Sequence, residues 1–475
     1  MRCARNQGRA RRFCAPSVLP STSGTGRCLG CMRILHTADW HLGHTLRDHA
    51  REAEHAHFLR WLVQTVVERE VDALLIAGDV FDSSNPPPAA WRMWFQFLDQ
   101  VRRARPHLQV VVIAGNHDSA SRLEAPRDLL ATIGVRVIGG VARNAAGQLV
   151  TEDLLVPLRD AGGEVRALCV AIPFLRSSDV MALVPPRTPE PAAAGRGDYV
   201  LPRPGDAPAE GEADPLEGDP LIGGMRALHV ELFAAARAAL EPGQALVVMA
   251  HGYLVGGALS ELSERKVLGG NQHALPLDLF PPDCTYVALG HLHRPQALAG
   301  HDHVRYSGSP IPLSMPERLH AHHVVFADLE GERLRKVWSL RVPRLVPLVR
   351  IPEHGELEPD AALAAVAALP PRDAAEPEEL RPFVEVAVRL PQPSPHLGER
   401  IARLIADKNA RLVRVDVVLT GSETRSGERA AELASLLPEQ VFVRRYRRDH
   451  AGPVPEPLLA AFRELLDAVQ HGDAP

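Results

Sequence analysis

Residues 33–41 read Arg-Ile-Leu-His-Thr-Ala-Asp-Trp-His, a short strand-like run that ends in two potential metal ligands, Asp39 and His41. Further potential ligands follow other apolar runs, and the full set is Asp39, His41, Asp79, Asn116, His251, His291 and His293. Ligands at strand ends in distant parts of a chain usually converge on one site. Because their atoms are oxygen and imidazole nitrogen, without sulfur, the set favours two hard-to-borderline divalent ions over a structural zinc.

The length and composition of the chain set broad limits on its class. With 475 residues, 45% of them hydrophobic and 23% charged, it has room for two or three domains with ordinary cores. No uninterrupted apolar stretch approaches the roughly 20 residues that span a bilayer, so we expect a soluble protein without a membrane partner. The formal net charge of -5 does not indicate a nucleic-acid partner, but it does not exclude one, because binding needs only a local basic surface.

Residues 1–31 form a leader that holds four of the six cysteines, six arginines and no acidic residue. A transit-like peptide has this basic, acid-poor composition. A small metal site at Cys28 and Cys31 is a second interpretation, although one such pair is a weak signal. The third interpretation, which we favour, is an upstream start codon with Met32 as the true initiator. Residues 1–31 would then be a non-native or disordered leader.

The next part of the chain alternates between strand and helix patterns. Apolar runs at 33–38, 71–77 and 109–114 are separated by helical periodicity at 51–70 and 86–101. Such alternation, with crossover-length spacing, predicts an α/β layered domain that extends over residues 32–340. Further strands are expected at 245–250 and 285–289. Residues 184–224 are rich in Pro, Ala, Gly and acidic side chains, which predicts a flexible insertion.

A composition shift near residue 341 marks a second domain. Strand-like runs at 345–351, 383–390 and 412–419, with a helix at 397–408, predict a small α+β domain over residues 341–420. The tail, 421–475, has two helical segments. Its second segment carries an apolar stripe at helical spacing, made by Leu458, Leu459, Phe462, Leu465, Leu466 and Val469.

Asp79 and the segment Gly115-Asn116-His117-Asp118 carry the most specific chemistry. A carboxylate has two oxygens, so Asp79 can bridge two metals about 3.5–4 Å apart, the separation found in two-metal sites. We expect Asp118 to hold one ring nitrogen of His117, which would orient the imidazole and raise its basicity. The alternative is a polar turn with a satisfied histidine, and Asp39 alone could equally be a helix cap.

In their order and spacing these motifs resemble those of the calcineurin-like metallophosphoesterases. Within that superfamily, the segments 32–43, 51–55, 77–82, 114–119 and 306–314 are similar to the SbcD family, the nuclease subunits of bacterial SbcCD DNA-repair complexes. The last of these segments reads Tyr-Ser-Gly-Ser-Pro-Ile-Pro-Leu-Ser. The resemblance is strong from Met32 to about Pro316, looser through the second domain and tail, and absent from the leader and the insertion.

The resemblance implies a fold and a division of roles at the site. The expected fold is a two-sheet α/β metallophosphoesterase domain, followed by an α+β capping domain and a helical tail. The roles are as follows: Asp39, His41 and His293 hold one Mn²⁺, Asn116, His251 and His291 hold a second, Asp79 bridges, and His117 with Asp118 acts on the phosphate. Archaeal and eukaryotic relatives carry a His where Asp82 stands, so their second catalytic imidazole is not expected here.

The resemblance also implies an activity and partners. The activity is double-strand exonuclease and single-strand endonuclease cleavage of DNA ends and hairpins, in DNA repair, recombination and replication at the nucleoid in the cytoplasm. The tail would dock an SbcC-like ATPase, since the chain has no phosphate-binding loop of its own. An apolar stripe at helical spacing is made by Trp91, Trp94, Phe95 and Leu98. Core packing is the better explanation for some of these residues, and the resemblance implies that the exposed ones form a homodimer. Candidate DNA contacts are Arg294, Arg305, Ser307, Gly308 and Ser309.

Two other functions share the same ligand set. Another calcineurin-like phosphoesterase, acting on a small phosphodiester or a phosphoprotein, would need the same metals, but the 306–314 segment and the extra domain argue against it. A non-catalytic DNA-end scaffold is disfavoured because every ligand position carries a competent ligand.

Overall fold

The computed structural model describes residues 30–176, 179–180, 220–258, 275–298, 300–373, 375–392, 394 and 396–419, with a few further positions between 442 and 462. None of the helices in these ranges has the length and apolar character needed to cross a membrane. The strands are β1 Cys31–Thr37, β2 Thr45–Leu46, β3 His49–Ala50, β4 Ala73–Ala77, β5 Gln109–Ile113, β6 Val135–Ile138, β7 Leu155–Arg159, β8 Val165–Ile172, β9 Ala245–His251, β10 Tyr286–Gly290, β11 Gln296–Leu298, β12 His301–Tyr306, β13 His323–Glu330, β14 Arg333–Arg341, β15 Leu348–Ile351, β16 Phe383–Leu390 and β17 Arg411–Leu419. The helices are α1 Glu52–Glu68, α2 Pro88–Ala104, α3 Ala120–Glu124, α4 Arg127–Thr132, α5 Pro220–Ala239, α6 Pro359–Ala367 and α7 Leu397–Ile405, and short 3₁₀ turns lie at Leu277–Leu279, Pro316–Leu319 and Glu378–Leu380.

Two six-stranded sheets form the framework of the larger domain in the described residues. The first has the order β14-β13-β1-β4-β5-β6, in which β1, β4, β5 and β6 are parallel and β13 returns antiparallel beside β1. The second has the order β11-β12-β10-β9-β8-β7, in which β8, β9, β10 and β12 are parallel. The carboxyl ends of the parallel strands from both sheets therefore supply the loops at which ligands can gather.

The two sheets pack face to face over an apolar core, which accounts for the nearly unbroken apolar character of their strands. Ile34 and Leu75 of the first sheet share one buried cluster with Val248 and Val287 of the second. Helices α1 and α2 cover the outer face of the first sheet, and α5 packs against β8 of the second. The result is a helix–sheet–sheet–helix domain, and the predicted α/β class is confirmed.

The smaller domain is a parallel three-stranded sheet in the order β15-β16-β17, with α6 and α7 packed on one face. Its opposite face contacts the larger domain through Phe383, which is fully buried. The guanidinium of Arg51 lies 5.3 Å from the centroid of this ring, and that of Arg411 lies 3.8 Å from it. His49 also donates from Nε2 to Leu412 O at 2.9 Å. The cation–π contact of Arg51 and this hydrogen bond thus join the small domain to the segment that leads into α1, whereas Arg411 holds the ring from within the small domain.

Two sequence-based boundaries differ from the structure. Cys31 already belongs to β1 and is buried, so a disordered leader does not extend to residue 31. Residues 1–29 lie outside the described part of the chain. Helix α5 begins at Pro220, and Leu221 and Ile222 are buried, so the predicted flexible insertion is wrong for residues 220–224. The error arose because the polar composition of the preceding segment masked the first apolar turn of this helix. Residues 184–219 lie outside the described part of the chain.

The predicted tail 421–475 lies mostly outside the described residues. Where positions are described, the rings of Phe442 and Phe462 stack with centroids 4.2 Å apart. Leu458 is exposed over 42% of its surface. The remaining stripe residues Leu465, Leu466 and Val469 are outside the described part.

Gly290 lies where the two sheets come close together, at the end of β10. A Cβ atom on this residue would overlap the carbonyl oxygen of Ala77 at the end of β4, which is backbone and cannot move aside. We therefore expect Gly290→Ala to lower the free energy of unfolding by ~1–3 kcal/mol, the usual range for overpacking. Urea denaturation measures the change. Gly140→Ala is the matched control, because its added Cβ meets open space, and equal stability losses in the two variants would contradict the close approach.

Candidate metal centre

The predicted ligands all stand at the carboxyl ends of parallel strands, or in the loops that follow them. Those after β1, β4 and β5 come from the first sheet, and those at the ends of β9 and β10 come from the second. Four ligand residues have left-handed backbone, with φ of 55° at Asp39, 48° at His41, 49° at Asp79 and 104° at His291. Such conformations cost energy outside glycine and cluster at functional sites, where the surrounding structure holds them in place.

Backbone hydrogen bonds secure these strained turns. Asp39 N donates to Gly78 O and His41 N donates to Asp79 O, each at 3.0 Å. These two hydrogen bonds hold the turn after β1 beside the turn after β4. Gly78 is itself left-handed, and a Cβ there would collide with the ring of His251, so glycine is needed for the second sheet to approach.

Asp79 occupies the middle of the centre. Its Oδ2 lies 3.6 Å from Nε2 of His41 and 3.5 Å from Nε2 of His251, while its Oδ1 accepts a hydrogen bond from His117 N at 2.8 Å. Burial alone would raise the pKa of Asp79, but the surrounding imidazoles, led by His251, hold it well below its usual range. One carboxylate oxygen therefore faces a histidine from each sheet, the geometry that a bridging ligand requires.

One group of ligand atoms belongs to Asp39, His41 and His293, which all lie within 4.8 Å of one another. Oδ2 of Asp39 and Nε2 of His41 are buried and have no hydrogen-bond partner. Buried polar atoms are rarely left in this state unless something else satisfies them. Burial raises the pKa of Asp39 to about 7. A divalent cation at this position would satisfy both atoms and neutralise the carboxylate.

The second group is Asn116, His251 and His291. Oδ1 of Asn116 lies 3.0 Å from Nε2 of His251 and 2.9 Å from Nδ1 of His291, so three potential ligand atoms converge on one point. Nδ1 of His251 donates to Ala77 O at 2.8 Å, which turns Nε2 toward Asn116 and Asp79. Burial would lower the pKa of His251, but Asp79 raises it to about 9. All seven predicted ligands are thus brought together, in two groups that meet at Asp79, and their donor atoms fit divalent metal ions.

The predicted contact between Asp118 and the ring of His117 is wrong. The carboxylate of Asp118 is buried and accepts hydrogen bonds from Val80 N at 3.1 Å, Phe81 N at 3.0 Å and Gly115 N at 2.9 Å. Burial raises its pKa to about 6. The ring of His117 instead donates from Nδ1 to Asp82 O at 2.8 Å. Asp118 therefore joins the loops after β4 and β5, and a backbone carbonyl orients His117.

The candidate DNA contacts divide into exposed and buried residues. Arg294 is exposed directly after His293, and Arg305 is half-buried beside Asp302. Ser307 and Ser309 are fully buried, and Gly308 lies between them in the interior. Ser309 N donates to His293 O at 3.1 Å, so its amide is already used. The turn packs against the backbone of a predicted ligand, and its contact with a phosphate stays a prediction.

Two carboxylates near the centre were not predicted as site residues. Oδ1 of Asp82 lies 3.2 Å from Nδ1 of His41, and Oε1 of Glu317 lies 3.3 Å from Nδ1 of His293. Asp82 stands three residues after Asp79, so proximity in sequence was a usable signal. Glu317 is 24 residues from His293, and no local pattern connects them.

Comparisons with known proteins agree with this architecture. Residues 32–185 match the calcineurin-like phosphoesterase family, and residues 344–450 match the family described as "Type 5 capsule protein repressor C-terminal domain". The SbcD subunit of the nuclease SbcCD from Rhodobacter capsulatus is 38% identical over 413 residues, which cover 86% of this chain and 93% of the relative. The chain belongs to the SbcD family.

Other members of the SbcD family match over shorter stretches. The SbcD subunit of Escherichia coli strain K12 is 35% identical over 319 residues, 67% of this chain and 70% of that protein. The Bacillus subtilis protein of the same name is 31% identical over 300 residues, 62% of this chain and 66% of its own length. The family expected from the sequence motifs and its calcineurin-like metallophosphoesterase fold are both confirmed.

The position of Asp118 leads to a stability prediction. Asp118→Ala would leave three buried amide donors without an acceptor, so we expect the free energy of unfolding to fall by roughly 2–4 kcal/mol. Chemical denaturation measures this loss, and metal content should fall with it because the ligand loops separate. Asp128→Ala, at a fully exposed carboxylate, is the control. A variant as stable as the parent, with only its hydrolysis slowed, would instead give Asp118 a purely catalytic role.

Proposed function

We propose that this chain is the nuclease subunit of an SbcCD-type complex and that it hydrolyses DNA phosphodiester bonds with two Mn²⁺ ions. The observation that carries this proposal is the pair of ligand groups that meet at Asp79, with His117 beside them. The relatives are named as subunits of a nuclease, which supports DNA as the substrate. Oxygen and imidazole ligands without sulfur can hold Mn²⁺, and Mn²⁺ is the ion that the resemblance implies.

The proposed mechanism assigns separate tasks to the side chains. When bound, two divalent ions would supply Lewis acidity. They would withdraw charge from the phosphate and lower the pKa of water, so that it can lose a proton and attack at neutral pH. Asp79 would fix the distance between the two metal positions, because its Oδ2 faces a histidine of each ligand group. His117 is oriented by the bond from Nδ1 to Asp82 O, and in its imidazolium form the ring would donate its second proton, on Nε2, to the leaving oxygen.

An exposed arginine beside a predicted ligand supports binding of a polyanion. Arg294 follows His293 directly and is exposed, so its guanidinium can reach a DNA phosphate beside the metals. Arg305 is the second candidate, although its guanidinium also contacts Asp302 at 3.7 Å. The small domain docked through Phe383 would act as the cap that seats the duplex.

The proposed partners are a second copy of the chain and an SbcC-like ATPase. In the predicted stripe of α2, Trp94 and Leu98 are buried in the core, whereas Phe95 is 41% exposed and stacks on Trp91 at 5.7 Å. The outward part of this stripe, Trp91 and Phe95, is the homodimer candidate. The helical segments of 421–475 would dock the ATPase, which would supply any dependence on ATP.

One assay separates this function from its alternatives. The purified chain is incubated with Mn²⁺ and duplex DNA with free, blocked or hairpin ends, with and without its ATPase partner. A small phosphodiester and a phosphopeptide are tested in parallel. Metal-dependent cleavage of DNA in preference to both small substrates supports the nuclease. Preference for either small substrate favours another phosphoesterase, and two bound metals without any hydrolysis favour a scaffold.

The bridging position of Asp79 predicts a joint loss of metal and activity. Asp79→Asn keeps the shape of the side chain and the acceptor for His117 N but removes the charge between the two groups. We expect DNA hydrolysis to fall by more than the roughly 100-fold that loss of a ligand's hydrogen-bond partner costs. Metal analysis should show fewer than two Mn²⁺ per chain. Two tightly bound ions in this variant would contradict the bridging role.

The position of His117 predicts a loss of turnover without a loss of metal. His117→Ala removes the proposed proton donor but none of the seven ligands, so both ions should still bind. We expect kcat to fall by about 10²–10⁴-fold, the usual contribution of general acid–base catalysis. Steady-state kinetics and metal analysis on the same preparation test this. Unchanged kcat with full metal occupancy would remove His117 from the mechanism.

A further inference from the structure

The two imidazoles of the Asp39–His41–His293 group are both backed by carboxylates. Oδ1 of Asp82 lies 3.2 Å from Nδ1 of His41, and Oε1 of Glu317 lies 3.3 Å from Nδ1 of His293. In each ring the carboxylate contacts Nδ1, so Nε2 lies on the opposite side of the ring, and in His41 that atom is 3.6 Å from Oδ2 of Asp79. The nitrogen that would bind a metal is therefore set by the acidic group behind it.

Glu317 is held in place by its own hydrogen bonds. It has no exposed surface, and its Oε2 accepts from Leu313 N at 2.9 Å. The hydroxyls of Ser309 and Ser314 lie 3.5 Å from its two carboxylate oxygens. A buried carboxylate in so many contacts cannot swing away from His293.

The loop that carries Glu317 also hydrogen-bonds to the backbone of His293. Ser309 N donates to His293 O at 3.1 Å, and Gly308 has a φ of 73°. A Cβ on Gly308 would lie 2.6 Å from His293 O, so only glycine permits this approach. The segment from Gly308 to Glu317 thus fixes both the backbone and the ring of one predicted ligand.

The second ligand group lacks this support. Nδ1 of His251, the nitrogen that faces away from the ligand group, donates to a neutral carbonyl, Ala77 O. In His291 the ligand atom is Nδ1, beside Asn116 Oδ1, and the opposite nitrogen, Nε2, has no carboxylate partner among the described residues. Within the described residues, no carboxylate other than the ligands Asp39 and Asp79 contacts either ring. Since a carboxylate behind an imidazole raises its basicity as a ligand and a neutral carbonyl does so less, the two groups differ in donor strength.

We propose that Asp82 and Glu317 are positioning residues that make the Asp39–His41–His293 position the tighter of the two metal positions, so that a divalent ion fills it first. The proposal rests on the metal centre of the proposed function. It goes beyond that function because it orders the two binding events and assigns the order to the carboxylates that contact the rings of His41 and His293.

The test is a calorimetric titration of the metal-free chain with Mn²⁺, without DNA, alongside paramagnetic resonance of the unbound ion. We expect two binding steps in the parent protein. Glu317→Gln and Asp82→Asn should each weaken the tighter step by about 10–100-fold, the usual cost of losing a ligand's acidic partner, and leave the weaker step unchanged. Asn116→Ala identifies the weaker step, because it removes a ligand of the second group alone.

Controls separate this effect from general damage. Glu385→Gln neutralises another buried carboxylate, which pairs with Arg350 and Arg414 in the small domain, and should leave both steps unchanged. Circular dichroism of each metal-free variant shows whether it folds. If Glu317→Gln fails to fold, Asp82→Asn alone decides, because the Asp82 side chain is 33% exposed and tolerates the change.

Each outcome bears on one proposal only. A tighter step that is unaffected in folded Glu317→Gln and Asp82→Asn, or a loss confined to the weaker step, overturns the positioning role even if the parent protein cleaves DNA. If the two steps respond as expected but the parent protein leaves DNA intact even with its ATPase partner, the positioning role is upheld and the proposed nuclease is refuted.

Discussion

One carboxylate oxygen, Oδ2 of Asp79, faces a histidine from each half of the domain, at 3.6 Å from His41 and 3.5 Å from His251. This contact can exist only if the carboxyl ends of the two sheets come together at the same edge. The glycines Gly78 and Gly290 make that approach possible, because a side chain at either would enter the opposite sheet. The metal centre can therefore form only if the two sheets pack as closely as they do.

The ligand set was predictable because its signal is local. Each ligand follows an apolar strand, and strands of one parallel sheet end at the same edge, so strand order was not needed to bring Asp39, Asp79 and Asn116 together. The same reasoning covered His251 and His293 once a second sheet was assumed. The α/β class followed from the alternation of strand and helix patterns, which is also a property of neighbouring residues.

The features that could not be predicted depend on the orientation of side chains and on contacts between residues that are distant in sequence. Asp118 is adjacent to His117 in sequence, yet the turn sends its carboxylate to the amides of Val80 and Phe81. Ser309 lies in a Ser-Gly-Ser sequence typical of exposed turns, but packing against His293 buries it. Glu317 gave no signal because its role depends on a contact across 24 residues. Side-chain orientation in loops is decided by tertiary packing, which a sequence pattern does not contain.

The aromatic packing around Trp40, the residue between the two ligands of the first turn, has an optical consequence. Trp40 is fully buried against Phe58, Trp94 and Phe97. The other tryptophans of the chain pack in or against the same cluster, between the first sheet and its helices. Intrinsic tryptophan fluorescence therefore reports on one layer of the molecule. It responds directly to changes in the ligand turn after β1, and much less to changes in the second sheet or the small domain.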